Sequence, residues 1–179
     1  MGRGSGRSAL VAAVALLAGG ALLAIVLTRD ASSHGVAATA ATSGTPLRVT
    51  YLLEPAGRPV LRVSLEVAAT PAERERGLMG RTSVPDRTGM VFLMPGDTTV
   101  RFWMKDTLVP LSIAFVAADG RVAAVDEMPP CKADPCPTYG PDHPYRYAIE
   151  LDAGAFSRAG IHSGDLVVPA DPAALPPAG

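Results

Sequence analysis

The 179-residue chain has no Asn and no Gln, one Trp, two Cys, and two Lys against fourteen Arg. Without Asn there is no N-glycosylation sequon. Without either amide, the chain loses two side chains that both donate and accept in caps, turns and ligand sites. The formal net charge is −1 with acids and bases interspersed, so the clustered basic stripe of a nucleic-acid face is missing. No G-x-S-x-G is present, which argues against a nucleophile-elbow serine hydrolase. The two cysteines stand as C-x4-C with no second pair, which argues against a zinc ribbon or a C-x-x-C redox motif. His143 and His162 lie near Asp142 and Asp165 in sequence but have no evident third ligand. We therefore expect no metal and no cofactor.

The N-terminus carries what the rest lacks, a long apolar run. Residues 9–27 are nineteen apolar or Gly residues, preceded by Arg3 and Arg7 and closed by Arg29 and Asp30. As a helix this run spans about 28 Å, close to the roughly 30 Å hydrocarbon core. The basic start places the N-terminus in the cytoplasm and everything after the run outside. The length favours an uncleaved signal-anchor (residues 1–29) over a cleaved signal peptide, whose apolar region is about 7–15 residues. A buried helix of a soluble domain is the remaining alternative, and a run with no polar face fits it poorly. The expected location is thus the cell membrane, single-pass with the C-terminal domain outside, or secreted if the signal is cleaved. Residues 30–46, rich in Ala, Ser, Thr and Gly, read as a flexible linker, and residues 171–179 as a disordered tail.

The folded domain is expected over residues 47–170. Leu61, Val63, Leu65 and Val67 alternate with polar or small residues, as do Leu111, Ile113 and Phe115, and Tyr145, Tyr147, Ile149 and Leu151. Such period-two patterns mark half-buried strands. Thr70-Pro71-Ala72-Glu73 is a capping-box start for a short helix ended by Gly80. Asp119-Gly120 is a two-residue hairpin signal. Seven or eight short strands with one or two short helices point to a mainly β, compact antiparallel sandwich or barrel-like domain, preceded by the single transmembrane helix.

The richest stretch is residues 89–110, GMVFLMPGDTTVRFWMKDTLVP. It holds the lone Trp, two of four Phe and three of six Met. Two apolar runs around Pro95-Gly96-Asp97 read as a β-hairpin. The first run, residues 90–94, is apolar on both faces and reads as a central strand. In the second, Val100, Phe102 and Met104 share one face, and Arg101, Trp103 and Lys105 share the other. The Trp therefore sits between two cations on the face expected to be polar.

Several of these segments together resemble a known family. Arg76-Gly77-Leu78-Met79 with Arg81, Gly89-Met90, Phe102-Trp103-Met104-Lys105 with Thr107, and Pro110-Leu111 with Ile113 look like the DUF192 family. So do residues 147–151 with Ala153-Gly154, and Gly164-Asp165. The resemblance runs over roughly residues 60–168. It implies a compact mainly-β domain of unknown function, often secreted or membrane-anchored in bacteria. The chain departs at two positions: Asp106 stands where the family usually has Asn, and Ser112 where it usually has Asp.

The candidate ligand-binding strip is Arg101, Trp103 and Lys105, joined by Arg81, Asp106, Arg146 and Glu150. A Trp flanked by cations offers a stacking platform with anion donors, suited to a sugar, peptide or carboxylate; the structural alternative is an edge-capping Trp under cation stems. Cys131 and Cys136 are expected to form a disulfide in an extracytoplasmic setting. Met79, Met90, Met94, Met104 and Met128 read as core filler rather than as a Cu(I) site. The leading reading is an extracytoplasmic binding or interaction module for an unidentified small-molecule or cell-envelope ligand, held at the membrane and without a nucleic-acid partner. The alternatives are a hydrolase using carboxylates such as Asp106 and Glu150, and a structural envelope domain.

Overall fold

The computed structural model describes residues 45–179. The expected signal-anchor, and the linker as far as residue 44, lie outside the described residues. Among the described residues, no helix is long and apolar enough to cross a membrane.

Among the described residues there are nine strands, which include the period-two segments: β1 (Arg48–Glu54), β2 (Leu61–Ala68), β3 (Thr88–Thr98), β4 (Phe102–Trp103), β5 (Leu111–Val116), β6 (Val122–Met128), β7 (Thr138–Tyr139), β8 (Tyr145–Asp152) and β9 (Leu166–Pro169). Two short helices accompany them, α1 (Pro71–Arg76) and α2 (Ala155–Ala159). Seven strands make one sheet in the order β6-β5-β8-β3-β2-β1-β9, and β4 and β7 make a separate two-stranded ribbon. The large sheet curls into a half-barrel whose edges meet at one end. There Val122 donates its N–H to the Asp165 carbonyl (2.9 Å) and Val167 donates to the Gly120 carbonyl (2.8 Å).

Alternation sorts the side chains onto two buried faces. The inner face gathers Tyr51, Leu53, Leu65, Val91, Ile149 and Leu151, together with Val122 and Val167 from the opposite edge strands; Phe156 of α2 and Ile161 join them. The outer face gathers Met90, Phe92, Ile113, Phe115 and Ala148, covered by Leu78, Met104 and the β4 ribbon. β3 lies between β8 and β2 and is buried from Gly89 to Met94, as a run apolar on both faces requires. Four of the five internal methionines (Met90, Met94, Met104 and Met128) are part of this outer packing. The Asp119-Gly120 turn joins β5 to β6 as an antiparallel hairpin.

Three expectations change. First, β3 and β4 do not form a hairpin. β3 runs straight through Pro95 to Thr98, and β4 pairs with β7 instead. A register irregularity between Leu93 and Thr98 absorbs Pro95, which has no N–H to give to the ladder. Second, the sheet is not wholly antiparallel, because β2 and β3 are parallel. The capping box starts α1 as the sequence indicates: Thr70 Oγ1 accepts from the Glu73 N–H and the Glu73 carboxylate accepts from the Thr70 N–H. That helix serves as the crossover that returns the chain to the same end of the sheet. Third, residues 171–179 pack rather than trail away. Leu175 and Ala178 cover inner-face side chains. The Gly179 N–H donates to the Ala69 carbonyl (2.9 Å), and Arg74 donates to the Gly179 carbonyl (2.7 Å). The apolar surface of Leu175 outweighs the Pro/Ala composition that suggested disorder.

Candidate functional site

Trp103 owes its exposure to its neighbours. Phe102 packs edge-on against Phe92 (4.9 Å between centroids) and Phe115 (5.8 Å). Met104 is buried in the same outer layer. With both flanking side chains drawn inward, parity turns Trp103 outward, and it is 46% exposed. The ribbon holds it there: Phe102 pairs with Tyr139 and Trp103 with Thr138. Arg101 reinforces the pairing by donating to Thr138 Oγ1 (3.2 Å), the Thr138 carbonyl (3.2 Å) and the Gly140 carbonyl (2.9 Å). Tyr145 donates its hydroxyl to the Val100 carbonyl and pins the segment leading into β4.

The indole divides two open clefts. The larger, of about 490 Å³, lies between Trp103 and Phe102 on one side and Met94, Asp97, Arg74 and Glu75 on the other. The smaller, of about 390 Å³, lies between Trp103, Lys105 and Asp106 and the α1 side chains Glu75 and Arg76, with Met79. Lys105 Nζ sits 5.5 Å above the indole centroid, within cation–π range. Arg74 is committed to the Ala69, Leu93 and Gly179 carbonyls. Among the described residues, Glu75, Arg76, Lys105 and Asp106 take part in no ion pair. The smaller cleft thus presents two cations and two carboxylates around a flat apolar wall.

Of the seven residues in the candidate strip, Arg101, Trp103, Lys105 and Asp106 line these clefts. Asp106 adopts a left-handed backbone (φ 53°) and its carbonyl accepts from the Gly80 N–H (2.8 Å). Asp and Asn tolerate that conformation better than other non-Gly residues, so position 106 is explained by backbone geometry, and the amide-to-carboxylate departure leaves it intact. Arg146 lies outside the clefts and is paired with Asp97 (2.8 Å), which lines the larger one. Arg81 is elsewhere: it clamps the carboxylate of Glu66, which Arg48 also holds (2.5 Å). Ser112 is fully buried on the inner face; it donates to Glu127 Oε1 (2.6 Å) and accepts from the Gly154 N–H (2.7 Å). Glu127 Oε2 takes the same N–H (3.1 Å), so the neighbouring strand supplies the carboxylate that Ser112 lacks.

Glu150 also lies apart from the clefts. Strand register places one row of side chains across the outer face: Glu66 on β2, Met90 on β3, Glu150 on β8, Ile113 on β5 and Asp126 on β6. Glu150 is flanked by Met90 and Ile113 and is only 4% exposed. Burial pushes its carboxyl up to about 8, because an apolar surrounding disfavours the charged form. Glu150 and Asp106 therefore do not form a paired-carboxylate site.

Residues that sequence reasoning missed come from α1. Arg74, Glu75 and Arg76 build the far wall of both clefts. The capping box located the helix, but nothing local says that the crossover lays it beside β4.

Cys131 and Cys136 are bonded (S–S 2.11 Å, Cα–Cα 5.5 Å) at the entrance to β7. With Asp134 they are the one cluster of metal-donor type among the described residues, but the disulfide consumes both thiolates. Closing this short loop is worth about 2 kcal/mol on the chain-entropy estimate. Replacing both cysteines with Ser is expected to lower unfolding stability by about that much, read from denaturant midpoints. An unchanged midpoint in the double variant would show that the bond constrains nothing.

Comparison with known proteins places these features in context. The DUF192 family model, described as "Uncharacterized ACR", matches residues 52–168. A search of curated proteins gives no match. The fold is similar to a crystal structure from Sinorhizobium meliloti 1021 described as a "putative transcription regulator" (28% identity, TM-score 0.64, covering 74% of this chain and 98% of that one). It is also similar to a Novosphingobium aromaticivorans DSM 12444 protein of unknown function (28% identity, TM-score 0.56, covering 70% and 93%). With the family match running from β1 into β9 over the whole curled sheet, the chain belongs to the DUF192 family.

Proposed function

We propose that this DUF192 domain is an extracytoplasmic binding module that seats a small polar ligand of the cell envelope against Trp103. The observation that carries the reading is the solvent-facing indole that divides two clefts, with unpaired groups of both signs beside it. Indole faces stack on flat apolar surfaces such as the C–H face of a sugar ring, and a few convergent polar groups then fix orientation. Arg76 and Lys105 would take a ligand carboxylate, and Glu75 and Asp106 an amide or amine, so the ligand class is a saccharide bearing both kinds of group. The disulfide supports an oxidising compartment, and the basic, then apolar N-terminal sequence supports delivery across or into the membrane. The hydrolase reading is weaker, because the one carboxyl raised toward neutrality among the described residues, Glu150, lines neither cleft. For a transcription regulator, the near-neutral, interspersed charge offers no basic face.

The only Trp of the chain is its own reporter. Soluble peptidoglycan fragments carrying muramyl carboxylates are expected to shift Trp103 emission in a saturable way. Trp103→Ala is expected to abolish binding, measured by calorimetry, while changing the melting temperature by only a few degrees, as for an exposed side chain. A stability loss of roughly 3–5 kcal/mol, the range for truncating a core aromatic, would make Trp103 a packing residue and refute the proposal.

A further inference from the structure

A second cleft, distinct from the Trp103 face, opens at the mouth of the half-barrel. It measures about 350 Å³. Its accessible apolar lining is Pro59 and Leu61, with Ala155 and Ala159 of α2 forming one side; Leu53, Val63 and Leu151 of the inner face lie buried directly beneath. Its rim is cationic, with Arg58, Arg87 and Arg158 bordering it against a single lining carboxylate, Asp86.

The three arginines differ in how far they are committed. Arg158 is paired with Asp152 and donates to the Ala153 carbonyl (2.7 Å). Arg87 meets Asp86 only at 3.6 Å, with both side chains more than 60% exposed, a pairing of little worth in water. Arg58 has no acidic partner among the described residues. Its side chain lies against Gly160, where an added Cβ would come within 2.6 Å of Arg58 Nη1 and 2.8 Å of its Cδ. Arg87 holds a left-handed backbone (φ 56°), and its carbonyl accepts from the Ser64 N–H (2.8 Å) on β2. A non-Gly residue in that region costs about 1 kcal/mol or more, and such strain gathers at functional loops.

We propose that this cleft is a binding site for an anionic amphiphile, a medium-chain carboxylate whose alkyl body lies on the apolar lining and whose head meets Arg58 and Arg87. Charge complementarity sets the head group, since guanidinium forks match carboxylates in planar, bidentate geometry. The lining sets the body, because the side chains of Pro59, Leu61, Ala155 and Ala159 offer no hydrogen-bond partner. The volume sets the length: at about 30 Å³ per water-sized unit, the cleft holds roughly a dozen non-hydrogen atoms. That matches a chain of about eight to ten carbons. The site is independent of the Trp103 proposal, as the two share no residue.

The test is methyl NMR on the 179-residue chain, titrated with octanoate, octylammonium and acetate. Octanoate is expected to shift the Leu61, Ala155 and Ala159 methyl resonances saturably, with a dissociation constant of roughly 0.1–1 mM from the efficiency usual for ligands of this size. Octylammonium should bind at least about tenfold more weakly, and acetate should give no response, because each lacks one half of the recognition. Arg58→Gln/Arg87→Gln should weaken octanoate about tenfold or more. Ala159→Leu, which fills the cleft and keeps both arginines, should abolish the shifts. Equal binding of octanoate and octylammonium, unchanged octanoate affinity in the double variant, or no saturation by about 10 mM would each overturn the proposal.

Discussion

Gly89→Ala is expected to destroy the native state or to remove on the order of 4 kcal/mol or more of its stability, the size reserved for a specific steric failure. A Cβ at Gly89 would stand 1.9 Å from the Glu150 carbonyl oxygen, 3.0 Å from its carbonyl carbon and 2.9 Å from Leu151 Cδ2. The first of these is backbone, and it cannot swing away. β3 is hydrogen-bonded to β2 on one side and β8 on the other, with Gly89 opposite Leu65 and Leu151. Relief would require opening a ladder at the centre of the sheet. In an unobstructed strand the same substitution would stabilise slightly, because Ala restricts the unfolded chain more than Gly does. Gly96 supplies that contrast within the same strand, since nothing lies within 4 Å of a Cβ there. Gly96→Ala should therefore match or slightly exceed the parent in a urea melt. A parent-like midpoint for Gly89→Ala would mean that β3 and β8 do not approach as described.

Glu150→Gln is expected to stabilise the protein at alkaline pH and to flatten its pH dependence. The Glu150 carboxyl titrates near 8 in the native state, because burial between Met90 and Ile113 disfavours its charge. In the unfolded chain it titrates at the usual carboxylate value. Between these two values the native state holds a proton that the unfolded state has released. Stability therefore falls as pH rises from about 4.5 to about 8 and levels off above. The total from this one group is on the order of 5 kcal/mol. The charged groups sharing its row are Glu66, which Arg48 and Arg81 already hold, and Asp126; each lies one strand beyond its immediate neighbours. Gln keeps the shape and cannot ionise. Denaturant midpoints of the two proteins should nearly coincide at pH 5 and separate steadily toward pH 9, with the variant the more stable. Parallel curves for the two proteins would show that Glu150 finds a compensating partner when ionised.

The same carboxyl illustrates where a sequence argument ends. Alternation puts Glu150 on the face opposite Tyr147 and Ile149, the open side of a half-buried strand, yet that side is covered and Glu150 is only 4% exposed. Its neighbours on that face come from β3 and β5, more than thirty residues away in sequence. Only the strand order decides that they are Met90 and Ile113 rather than Arg101. Arg81 is the parallel case: it follows α1 closely, but its partner Glu66 precedes the helix and is reached only because β2 and β3 run side by side. For Trp103 the reverse holds. Its exposure follows from two local facts, the alternation of residues 102–104 and the apolar pull of Phe102 and Met104; Val100, expected on the same inward face, is instead 60% exposed, because the strand begins only at Phe102. The partner of its strand was misread, because Pro95-Gly96-Asp97 has the composition of a turn and serves here as an irregularity within β3.

By itself, the sequence determined which residues alternate, where α1 starts (though not its end, at Gly77 rather than the expected Gly80), where β5 turns into β6, and that an indole faces water beside Lys105. These follow from periodicity and capping, whose reach is a few residues along one chain. Tertiary structure alone decided that β2 and β3 run parallel, that α1 closes the far side of two clefts around Trp103, that Glu150 is sealed between apolar neighbours, and that Arg58, Arg87 and Arg158 of α2 border one cleft at the barrel mouth. Each of these depends on which strands are adjacent, and adjacency is fixed by the burial of both sheet faces at once, a condition no single segment carries.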